Sequence, residues 1–96
     1  MQQRKDVKFQ DGEKKTLRFD TTKAPIRNES KTYAGKINWD FCVYDTQVSE
    51  FDQKIWSAGK ETAKKVVAEL KRGYTVLEIE KDGEGRDARY KVRPIR

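Results

Sequence analysis

Lys36–Asp45, KINWDFCVYD, is the most apolar run in a very polar chain, and it alternates. Ile37, Trp39, Phe41 and Val43 fall on one side of an extended strand, and Asn38, Asp40, Cys42 and Tyr44 on the other, because strand side chains repeat every two residues. β-branched and aromatic residues dominate the run, which suits a pleated, half-buried surface. It reads as the central strand of a small barrel, its apolar row turned to the core.

Outward from that strand, 96 residues make one domain, 1–96, without room for a second core. Residues 1–5 are polar and read as a flexible tail. Only 34% of residues are hydrophobic and 40% are charged, so the core is small. Its aromatics carry much of it, each burying roughly 150–250 Å². The net charge of +6 favours a polyanionic partner or an anionic membrane surface. No apolar run approaches the roughly 20 residues of a spanning helix, and no signal-peptide core is visible, so no membrane partner is expected. Cys42 stands alone and has no internal disulfide partner, which suggests a cytoplasmic protein.

Before the central strand, Val7 and Phe9 alternate, Asp11-Gly12 signals a turn, and Leu17 and Phe19 alternate again. This supplies a first strand, with Arg18 pointing away from Leu17 and Phe19. Thr21–Thr32 is loop by composition, with Pro25 excluding a central strand. The second strand spans Tyr33–Asp45. Gln53–Ala58 is a third strand whose frame stays open: Phe51 and Ile55 suggest one inward face, Trp56 and Ala58 the other. From Gly59 to Gly73, Ala63, Val66, Val67 and Leu70 recur at helical spacing. Ser57 is a candidate cap, and Lys71-Arg72-Gly73 a stop. Tyr74–Lys81 is a fourth strand with Leu77 and Ile79 inward, and Ala88–Pro94 a fifth. The order β-β-β-α-β-β is that of an OB-fold-like five-stranded barrel, mainly β with one helix.

Without histidine and with one cysteine, the usual zinc ligands and the Ser–His and Cys–His catalytic pairs are missing. Glu78-Ile79-Glu80-Lys81 lacks the spacing of a nuclease core and reads as an exposed strand face. Gly83-Glu84-Gly85 sits in a hairpin, not between strand and helix, and is turn chemistry. No enzyme activity, metal or cofactor is expected.

Binding fits better. Arg86–Arg96 carries five cations and one acid, and Lys23–Lys36 four cations and one acid. Ile37–Trp56 is acidic by contrast, with four acids and one cation. The two basic segments flank the groove with which an OB-fold binds oligonucleotides. Stacking on rings is the other half of single-strand binding. Trp39 and Phe41 read as core, Tyr44 and Trp56 are open between core and ligand, and Tyr33 lies beside Lys31 and Lys36. The helix is expected to cap the barrel away from the groove. The candidate contacts are Arg18, Lys31, Tyr33, Lys36, Tyr44, Trp56, Arg86, Arg89, Lys91 and Arg93.

Residues KIWSAGKETAKKVVAEL followed by YTVLEIEKDGEGRDARYKVRPI resemble the end of small phage and archaeal-virus OB-fold proteins related to single-stranded DNA-binding proteins. The terminal pattern is carried by Gly83, Gly85, Asp87, Arg89, Tyr90, Val92 and Pro94, with Ala88 where the pattern often has Thr. The resemblance implies DNA binding and does not specify the side chains that touch DNA. The expectation is therefore a single-stranded DNA-binding protein with little sequence preference. An RNA-binding OB-fold and a protein-interaction module are the alternatives.

Overall fold

The central strand forms over Ile37–Asp45 as β3, and it holds the sheet together by pairing antiparallel with three other strands. This computed structural model describes residues 5–30, 34–84 and 88–95. The chain runs β1 (Lys14–Phe19), β2 (Ile26–Glu29), β3, β4 (Lys54–Gly59), α1 (Lys60–Lys71), β5 (Val76–Asp82) and β6 (Arg89–Pro94). One edge of β3 carries β4, with Asn38 opposite Gly59 and Val43 opposite Lys54. The other edge is shared by β2 near Ile37–Asp40 and β1 near Val43–Asp45. β1 then pairs with β5, and β5 with β6.

Among the described residues the protein is thus mainly β with one helix, as the sequence predicts, but with six strands where five are expected. β2 lies within the stretch expected to be loop. Pro25 removes one N–H and no more, and β2 starts just after it on a sheet edge, where that loss breaks no ladder bond. Asp40 helps hold β2 and β4 to β3. Its carboxylate accepts from Ser57 Oγ on β4 and from Asn28 Nδ2 on β2. Ser57 therefore does not cap the helix; Gly59 stands at that position and brings no capping side chain. The helix stop is as expected, with Gly73 at φ 96° donating to the Leu70 carbonyl at 3.0 Å.

The sheet does not close into a barrel, and among the described residues no pairing joins β4 to β6. Part of the free edge of β4 is already taken. Val7 N donates to Ile55 O and Ile55 N donates to Lys5 O, both at 2.7 Å, in a parallel bridge centred on Asp6 and Ile55. An amide used there cannot pair with β6. Lys5, expected in the flexible tail, also pairs with Asp52 at 2.8 Å; residues 1–4 lie outside the described ones.

Inside, Leu17, Val43, Val66, Leu77 and Ile79 are fully buried. Trp56 is 1% exposed and touches four rings, those of Phe9, Phe19, Phe41 and Tyr90, at centroid distances of 5.6–6.3 Å. This decides the frame of β4: Trp56 and Ala58 point inward, and Phe51 is 92% exposed. Among the described residues no helix is long and apolar enough to cross a membrane.

Candidate nucleic-acid interface

The apolar row of β3 outruns the core. Phe41 and Val43 are buried, whereas Ile37 and Trp39, earlier on the same face, are half-exposed. They line an open groove of about 1110 Å³. Gly59 at the end of β4 and Tyr90 on β6 also line it, so the groove opens at the seam left by the unclosed sheet. Its walls bring together Arg27 from β2, Lys36 before β3, Lys60 and Lys65 from α1, and Arg89 from β6. Against these five cations stands one acid among the described residues, Glu61. A concave surface of one sign focuses the field and concentrates a polyanion.

Two rings share the groove. Tyr90 leans on the core, with Phe9 and Trp56 each 5.6 Å away in edge contacts. Burial pushes its phenol up from the ordinary value, and nearby Glu84 adds to the shift, so the ring stays neutral at physiological pH. Trp39 packs against the core from outside it and makes no ring pair among the described residues. It is an accessible indole at the floor of a basic groove. The two walls are tied at 3.5 Å, where the Lys65 ammonium donates to the Tyr90 carbonyl.

Of the residues expected from the sequence, Lys36 and Arg89 line this groove. Lys31, Tyr33 and Arg86 lie outside the described residues. Trp56 is a correction: sealed in the ring cluster, it cannot stack on a base without leaving the core. Arg18 and Tyr44 lie elsewhere, on the sheet face opposite the apolar row. There the guanidinium sits over the Tyr44 ring at 4.3 Å and donates to the Glu50 carbonyl at 3.3 Å. Gln53 Nε2 in turn donates to the Tyr44 hydroxyl at 3.2 Å. Lys91 and Arg93 are exposed on β6, but their cross-strand neighbours are Glu80 and Glu78. Opposite charges at such positions attract, and Arg89 in the same row likewise faces Asp82; what sets Arg89 apart is its place in the groove lining.

Arg27, Trp39, Lys60, Lys65 and Tyr90 are groove residues that the candidate contacts left out. The helix does not lie away from the groove; its first turn and Lys65 form one wall. A signal existed for Trp39, whose place near the start of the apolar row puts it where a core can end. No family model, curated protein or solved structure matches the chain.

Proposed function

We propose that the protein binds single-stranded nucleic acid, DNA foremost, in the groove between β2–β3, the start of α1 and β6. The observation that supports this reading is the joining of five cations with an accessible, unpaired Trp39 in one open groove. The cations neutralise phosphates and release counterions, and most of the affinity is therefore independent of sequence. Trp39 and Tyr90 offer faces on which unpaired bases stack, an interaction of roughly 1–3 kcal/mol per base.

We read the fold as an OB-like barrel left open at one seam. The pairings β1–β3, β3–β4, β1–β5 and β5–β6 support it, with β2 as an addition in the first long loop. The resemblance of the C-terminal segment to viral OB-fold proteins points the same way, and no catalytic step is part of the proposal.

Anisotropy titration with matched oligo-dT, oligo-rU and duplex DNA at two salt concentrations tests it. Single strands should bind more tightly than duplex, because stacking needs unpaired bases. Equal affinity for duplex and single strand would reduce the groove to a generic basic surface, and tighter binding of rU than dT would make RNA the ligand.

A further inference from the structure

Glu61 is out of place in a groove that draws phosphates. Among the described residues it is the one carboxylate in a lining that holds five cations. Lys65, one turn along α1, stands where a helical ion-pair partner belongs. Its ammonium instead reaches across to the Tyr90 carbonyl. Among the described residues the Glu61 carboxylate takes part in no ion pair or hydrogen bond. Such a charge repels phosphate and weakens sequence-independent binding.

What a carboxylate offers in return is two acceptor oxygens and no donor. Bases differ sharply in what they present to such a group. Guanine sets its N1–H and 2-amino group side by side and can donate to both oxygens at once. Cytosine and adenine have one amino group next to a ring nitrogen that is itself an acceptor. Thymine has a single N–H flanked by two carbonyl oxygens, which a carboxylate repels. Trp39 and Tyr90 line the same groove and can hold a base by its face while its edge is read.

We propose that Glu61 reads the edge of one base in the groove and selects guanine over thymine. This deepens the strand-binding reading and rests on it. The backbone contacts still supply most of the affinity, and Glu61 adds a preference at one position. A good bidentate base contact discriminates by about tenfold or more.

The test is anisotropy titration of wild type and Glu61→Gln at one salt concentration with three labelled oligonucleotides. Each is about 15 nucleotides long, within the usual span of one such domain. One is all thymidine, one has isolated guanines too sparse for quadruplexes, and one has inosine at those sites. Wild type should bind the guanine strand about tenfold tighter than oligo-dT. Inosine, which keeps N1–H and lacks the 2-amino group, should fall between. In Glu61→Gln, affinity for oligo-dT should rise and the guanine preference should collapse. Equal wild-type affinity for all three strands overturns the inference and leaves strand binding standing. So does a Glu61→Gln variant that binds every strand more tightly by the same factor, since Glu61 would then serve only the helix dipole. If Glu61→Gln folds poorly, Glu61→Ala carries the variant arm with the same expected and overturning results, and equal wild-type affinity for the three strands still overturns the inference. Failure of every strand to bind removes the groove's proposed function and the inference with it.

Discussion

Trp56 and Tyr90 meet edge to face, their centroids 5.6 Å apart and their planes at 75°. Through this contact the sealed core reaches the basic groove. Trp56 is on the inner side of the junction and serves packing alone. Tyr90 belongs to both sides, since it packs against the cluster and lines the groove. Trp39, free of ring partners among the described residues, belongs to the groove. The protein's two tryptophans thus sit in separate environments.

That division can be read by fluorescence. Trp39→Phe should abolish most of the quenching caused by oligo-dT, and Trp56→Phe should leave it intact. The second variant should lose stability, by about 1–3 kcal/mol as core changes do, because it leaves space among four rings. For a domain of this size each kcal/mol lowers Tm by roughly 4–8 °C. Quenching that survives Trp39→Phe and vanishes in Trp56→Phe would place the ligand against the wrong ring.

The two tryptophans also mark how far the sequence can be read. Alternation correctly put Ile37, Trp39, Phe41 and Val43 on one face, and Leu77 and Ile79 inward. A period of two tells which face a residue occupies, but not where along the strand the core ends. That limit shows only in the burial along β3, complete at Phe41 and Val43 and partial at Ile37 and Trp39. Trp56 was undecided because Phe51 and Ile55 offered a rival frame, and the ring cluster resolves it. Ile26–Glu29 was illegible as a strand because its reason for existing is the edge of β3 beside it. Arg89, Lys91 and Arg93 were rightly seen as one row, yet their facing acids on β5 follow only from the pairing register.

The groove lining sets the expected salt dependence. Arg27, Lys60 and Arg89 line the groove, so replacing all three by Gln should remove up to three phosphate contacts. At roughly −0.7 per contact for single strands, the slope of log K against log[salt] should fall by about 2. The pair Lys91→Gln and Arg93→Gln should move it far less, since neither side chain lines the groove. A larger loss from the β6 pair than from the groove triple would move the binding face to the outside of the sheet.

Acid stability should depend on Asp20. Its carboxyl is held below the ordinary value of 3.8, first by the hydroxyl and then by the backbone N–H of Thr22, with Gln53 and Lys23 adding smaller effects. A depressed folded pKa means stability that is complete above the unfolded value and is lost as pH falls through the folded one. Asp20→Asn should therefore lower Tm at pH 7 and flatten the decline of Tm below about pH 4. Thermal melts of both proteins from neutral pH down to about pH 2 check this. Parallel curves over the acid limb would show that Asp20 is no better held in the folded state than in the unfolded one.

The segment before β1 occupies part of the free edge of β4. Phe9 is 8% exposed and wedges against both Trp56 and Tyr90, at 5.9 and 5.6 Å. Upstream of it, the segment is fastened to β4 by the two bonds at Ile55 and to the turn before β4 by the exposed Lys5–Asp52 pair. An exposed ion pair contributes little, about 0–1 kcal/mol, and two hydrogen bonds at an edge are easily traded for water. The aromatic wedge is therefore the main anchor. Phe9→Ala should cost about 3–5 kcal/mol. It should also release the segment, so that the Val7 and Ile55 amides lose hydrogen-exchange protection together while the Leu17 and Leu77 amides in the β1–β5 pair keep theirs. Binding should persist wherever the variant is folded, since Phe9 does not line the groove. If Ile55 stays protected in the variant, the backbone bridge holds the segment by itself, and the role of Phe9 is confined to filling the core.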